Sequence, residues 1–184
     1  VRRIEAITGA GVEEWINNQT AALEKVKMLL NNPKDIVKGV ESVLEENKSL
    51  KDKLDAMMFE KARQVKSSLM GKVNKVNGVN MIVEQIELPS ADLIKNLSFD
   101  LKNQLDNLFL LLGADIEGKP HLSLILSDNL VADKSMNATN IIRTLAKEIQ
   151  GGGGGQPFYA TAGGKQMDGL KKALEQGKAL ITGS

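Results

Sequence analysis

The chain has no cysteine, which excludes disulfides, thiolate metal sites and thiol nucleophiles. It has one histidine, His121, so no second imidazole or thiolate can complete a transition-metal site. Aromatic residues are 3% of the total, one Trp, one Tyr and four Phe, which argues against a platform that stacks single-stranded bases. Charge of one sign is also lacking: 24 Lys and Arg oppose 23 Asp and Glu, net +1. A protein that neutralises many phosphates through a broad basic surface usually carries a larger excess of positive charge, and a local contact to shaped RNA remains open. No apolar run reaches membrane-spanning length and no secretory h-region is visible. Asp128, Asp133 and Asp168 show no acid/base or two-metal spacing, and Ser123 and Ser127 lack a nucleophile turn. What remains is recognition without chemistry.

Glycine is what the chain has in excess. Residues 151–164 read GGGGGQPFYATAGG, and five successive glycines carry a backbone entropy cost that a fold retains for unusual backbone angles or close approach. Apolar helical patterns flank the segment, Ile141, Ile142, Leu145 and Ile149 within 137–150 before it, Leu170 and Leu174 after it. We therefore expect an ordered glycine loop in a packed body rather than a linker. Its candidate RNA-binding or loop-supporting residues are Gly151, Gly152, Gly153, Gly154, Gly155, Gln156, Thr161, Gly163, Gly164 and Lys165.

Earlier in the chain the pattern is helical. Ile16, Leu23, Val26 and Leu30 make a stripe over 12–30. Asn31-Asn32-Pro33 breaks it, with Asn32 expected to cap a second helix, Pro33 in its first turn and Asp35 at its positive end. Val40, Val43, Asn47, Leu50, Leu54, Met57 and Lys61 follow alternating steps of three and four, a coiled-coil seam with one polar place at Asn47. The two helices predict an antiparallel hairpin, serving either as an intramolecular arm or in a homodimer. Lysines along it, among them Lys61, Lys66 and Lys72, are interleaved with acids and read as a solvated face with ion pairs.

After Gly71 the period changes. VNMIVEQI at 79–86 reads as a strand, Ser90 as a helix cap ahead of Leu93, Ile94, Leu97, Leu101 and Leu105, and LFLLL as a central strand within 107–113. A turn at Gly118-Lys119-Pro120 leads to HLSLILS, a further strand that starts at His121, expected to be an incidental strand-edge histidine. The expected fold class is α/β or α+β: a long antiparallel helical hairpin followed by a compact sheet-and-helix domain with a glycine-rich loop. A doubly wound nucleotide fold is disfavoured, because the glycines follow a helix and no GKS/T motif is present. The chain starts at Val1, and VRRIEAITG offers a strand stub at 4–7 with no nearby hairpin partner. The expected division is 1–11 as the remnant of a preceding domain, 12–72 as hairpin or coiled-coil arm, and 73–184 as carboxy-terminal body.

EIQGGGGGQPFYATAGG, preceded by KSMNATNIIRTLA and by LKNQLDNLFLLLGADIEGKPHLSLILSDN, resembles the carboxy-terminal domain of alanyl-tRNA synthetases, a module also found in DHH-type phosphoesterases. The likeness covers residues 88–181, the hairpin is similar to the arm before that domain, and VRRIEAITG resembles the last strand of the editing domain. The resemblance implies a non-catalytic, cytoplasmic part of an ATP-dependent ligase. It would approach the elbow of tRNA(Ala), couple the aminoacylation and editing domains of the same chain, and contribute to a homodimer. ATP, magnesium and zinc are implied only for those other domains, with no cofactor, metal or membrane for this one. The segment matches the family at Gly151 to Gly155, Pro157, Ala162, Gly163 and Gly164, and departs at Gln156, where arginine is frequent, and at Phe158 and Tyr159, where the family is more polar. The alternative is a substrate-binding or assembly module of a DHH-type phosphoesterase.

Overall fold

The computed structural model describes residue 2 and residues 8–132 and 136–183. The stub at 4–7 and Asp133 lie outside them. The chain divides into two compact units, Val1–Ala56 and Met57–Ser184.

In the first unit, helix α1 (Ala10–Leu29) buries no residue. It closes with Asn31 N–H donating to Met28 O and Asn32 N–H to Lys27 O, while both asparagines take left-handed φ values of 62° and 55°. That is the paired bonding of a Schellman end. Asn32 is therefore committed to closing α1 and does not cap the next helix. Asp35 does: its Oδ1 accepts from the N–H groups of Val37 at 3.0 Å and Lys38 at 3.2 Å, so helix α2 (Ile36–Met70) begins three residues later than Pro33 suggests. Within this unit the seam side chains Val40, Val43, Leu50 and Leu54 are 39–57% exposed, and Asn47 is exposed too.

The second unit holds a six-stranded sheet in the order β1-β2-β3-β4-β6-β5. Strand β1 (Asn74–Val76) turns into β2 (Val79–Ile86) through Asn77-Gly78, both with positive φ, 52° and 77°. This is the primed turn that matches strand twist. Ser90 caps α3 (Ala91–Gln104), its hydroxyl oxygen accepting from Asp92 N–H at 3.2 Å. The helix crosses over to β3 (Leu108–Ile116), which runs parallel to β2. Glu117-Gly118 then repeats the positive-φ turn, at 54° and 77°, into antiparallel β4 (Lys119–Leu126).

The helix expected over 137–150 is shorter. Asn137 accepts from Asn140 N–H and starts α5 (Ala138–Leu145), after a short α4 (Asp128–Ala132). Beyond Leu145 the chain tightens into bonds of i→i−3 type, Lys147 to Thr144 and Glu148 to Leu145, which lower Ile149 into the core and aim the glycines back at the sheet.

The glycine segment is not a loop. It forms β5 (Gly152–Gln156) and β6 (Tyr159–Gly163), an antiparallel hairpin that ends the sheet, and α6 (Gly169–Thr182) follows. Glycine is a poor strand former in isolation, and here the ladder to β6 and the packing of α5 supply what intrinsic preference does not.

Helices cover both sheet faces. Ile82, Leu108, Leu110, Leu112 and Ile125 face α3 and the last turns of α2, where Leu69 is buried. Val79, Met81, Phe109, Leu111, Leu122 and Leu124 face α5 and α6. The end of α2 is further held by ion pairs of Lys61 with Glu87, Lys66 with Asp100 and Lys72 with Glu84. Carboxylates thus occupy three lysines that a phosphate would otherwise meet.

Candidate functional site

Directly opposed residues on antiparallel strands share a face, and this sorts the glycine hairpin into two sides. Gly153 pairs with Ala162 and Gly155 with Ala160, and both alanines are buried towards α5. A Cβ on Gly153 would meet Thr161 O at 2.5 Å and Ile142 Cγ2 at 2.8 Å; one on Gly155 would meet Tyr159 O at 2.3 Å. Gly151 and Gly164 are equally closed, by Gly163 O at 2.0 Å and Ile149 O at 2.2 Å. These four glycines exist for packing: the backbone occupies the space where a side chain would stand.

Gly152, Gly154 and Gly163 are the reverse. A Cβ on any of them meets nothing within 4 Å. Gly152 lies opposite Gly163, which lies opposite His121; Gly154 lies opposite Thr161, which lies opposite Ser123; Gln156 lies opposite Tyr159. The outer strands therefore present a floor of bare backbone bordered by Gln156, Thr161, Tyr159 and His121. Of the residues expected at the site, only Gly152, Gly154, Gln156, Thr161 and Gly163 share this face. Lys165 is exposed just past its end, its N–H donating to Ile149 O.

Phe158 and Tyr159 are packed. Phe99 of α3 meets Phe158 edge-on at 6.3 Å and Tyr159 at 5.2 Å, and Lys102 Nζ sits 4.8 Å over the Phe158 ring while pairing with Asp128. This anchors the closed end of the hairpin to α3. Burial raises the Tyr159 pKa, and its hydroxyl accepts from Ser123 at 3.4 Å. Ser127 accepts from Leu108 N–H at 2.8 Å, so both candidate serines have structural partners. Among the described residues no three His, Asp or Glu side chains gather as a metal site, and no helix is long and apolar enough to cross a membrane.

His121, expected only as an incidental strand-edge histidine, stands two residues into β4 beside the glycine floor, half-buried. Desolvation lowers its pKa, which leaves the imidazole neutral at pH 7. Its ring makes no hydrogen bond to a described residue. The signal for its position was the register between HLSLILS and YATAG, which sequence alone does not reveal.

Known proteins match this chain. The DHHA1 domain model matches residues 78–183. The alanine–tRNA ligase of Cytophaga hutchinsonii is 48% identical over 98% of this chain and 21% of its own length. That of Christiangramia forsetii is 45% identical over 98% and 21%, and that of Bacteroides thetaiotaomicron 42% over 96% and 20%. The chain thus spans about a fifth of the length of these curated relatives. Among solved structures, the C-Ala domain of Aquifex aeolicus alanyl-tRNA synthetase superposes with a TM-score of 0.54 at 24% identity, covering 60% of this chain and 97% of that one, a likeness of fold.

Proposed function

The chain belongs to the DHHA1 domain family and is homologous to the carboxy-terminal region of alanyl-tRNA synthetases, and on that premise we propose that it is a non-catalytic accessory module that binds the elbow of tRNA(Ala). In this reading it couples aminoacylation with editing in the longer protein, with 12–72 as arm and 73–184 as the RNA-binding body. The observation that carries the reading is the bare floor of Gly152, Gly154 and Gly163. A surface without Cβ atoms lets a sugar-phosphate backbone approach main-chain groups closely, and recognition by shape suits a chain with net charge +1 and few aromatics. Equilibrium binding to intact tRNA(Ala) and to a linear RNA of equal length tests it. Preference for the folded RNA is expected, and equal binding to both rejects shape recognition. Gly154→Val should fold normally, since the space above it is open, and should weaken tRNA binding at least tenfold.

The exposed seam favours a second role for α2. Val43, Leu50, Leu54 and Met57 are each at least half exposed, and a helical stripe of that kind packs on a partner, here a second copy or another part of the longer chain. Leu54→Ala is expected to change stability by no more than about 0.5 kcal/mol in a monomer. Under self-association the cost rises and the unfolding midpoint becomes dependent on protein concentration. Sedimentation over a concentration series separates the two.

A further inference from the structure

We propose that His121, Lys119 and Lys165, at the open end of the glycine floor, form a seat for one ribose-phosphate unit and that His121 reads its 2′-hydroxyl. The inference rests on the RNA-binding reading and names the chemical group recognised. Lys119 precedes His121 by two residues on β4 and so lies on the same sheet face. His121 is opposite Gly163, and Gly164 N–H donates to Pro120 O at 3.0 Å, which ties the residue before Lys165 to the residue between Lys119 and His121. Both lysines are exposed and neither has an ion-pair partner among the described residues. This separates them from Lys61, Lys66, Lys72, Lys102 and Lys172, all of which are paired.

The imidazole supplies the selective element. A neutral ring offers one N–H donor and one acceptor nitrogen, and neither meets a described protein group although the ring is half-buried. A ribose 2′-hydroxyl is likewise donor and acceptor, and it is the group that distinguishes RNA from DNA. Gly163 and Gly152, next in register across the sheet, have nothing within 4 Å of a Cβ position, so a sugar can lie flat beside the ring with its phosphate towards the two ammonium groups. Lysine serves there as a point charge.

The test uses the whole chain with transcribed tRNA(Ala) and with a DNA of the same sequence. The wild-type protein is expected to prefer RNA. His121→Ala should weaken RNA binding about five- to tenfold, the worth of one hydrogen bond, and leave DNA affinity unchanged. His121→Gln, which keeps a donor and an acceptor, should restore most of the loss. Lys119→Gln and Lys165→Gln should each reduce the salt slope of RNA binding by about one. Equal weakening of RNA and DNA by His121→Ala in a protein with unchanged melting, or RNA binding indifferent to all three positions, overturns the seat and leaves RNA binding standing. Failure to bind either nucleic acid at low salt overturns both.

Discussion

Strands β3 and β5 belong to one sheet and solve opposite problems. β3 lies between two others and is buried on both faces by large side chains, Leu108, Leu110 and Leu112 towards α3 and Phe109 and Leu111 towards α5 and α6. β5 is the outermost strand, and its two faces are decided by the absence of side chains: one because backbone and Ile142 leave no room, the other because nothing stands above it. In β3 specificity comes from filling space. In β5 it comes from leaving space, closed below by packing and open above. The same residue type thus has two meanings on one strand, and only the register separates them.

That contrast can be broken at either end. The largest effect should come from β3: Leu111→Ala removes a fully buried side chain and is expected to cost about 2–5 kcal/mol in equilibrium denaturation. A loss below 1 kcal/mol would mean that the centre of the sheet is not the packed layer described here. On β5 the closed face should respond next. Gly153→Val forces a branched side chain against Thr161 O and Ile142 and should destabilise by about 1–3 kcal/mol or more. Gly154→Val, one residue on, should leave the melting temperature near that of the wild type. Equal destabilisation by the two valines would erase the distinction between the faces.

The smallest effect concerns pH. Burial holds the His121 pKa below its ordinary value, so the folded protein binds fewer protons than the unfolded chain as pH drops past about 6.5. Its contribution to stability is fully present above that pH and is lost as pH falls through the folded-state pKa. His121→Gln should flatten the stability profile across this window, as measured by denaturant titration at several pH values. A profile unchanged by the substitution would place the ring in open solvent rather than at the edge of the floor.

Much of the body was legible because its signals are local. The apolar run of β3, the β-branched run of β2 with the bounds Val79–Ile86, and the Ser90 cap of α3 each follow from a few neighbouring residues. Asn77-Gly78 carried an equally local turn signal, yet β1 has three residues and too little pattern to announce a strand. Asn32 misled because two helix ends compete for it: its side chain suits a cap, and its backbone completes the close of α1, leaving Asp35 to start α2. The glycine hairpin was illegible as strand because periodicity is read from side chains, and β5 has one, on Gln156.

The sequence by itself determined the order of the helical and sheet segments, the family and the lack of thiol chemistry, since these depend on residue type and on spacing along the chain; that helices cover both faces of the sheet was decided by the tertiary structure. Tertiary structure decided which glycines are spacers and which are surface, that Phe158 and Tyr159 are packed against α3, and that His121, Gly163 and Gly152 stand in one row across three strands. The reason is physical. Cross-strand register joins residues tens of positions apart through main-chain hydrogen bonds, and a shift of one residue would exchange the two faces of the hairpin.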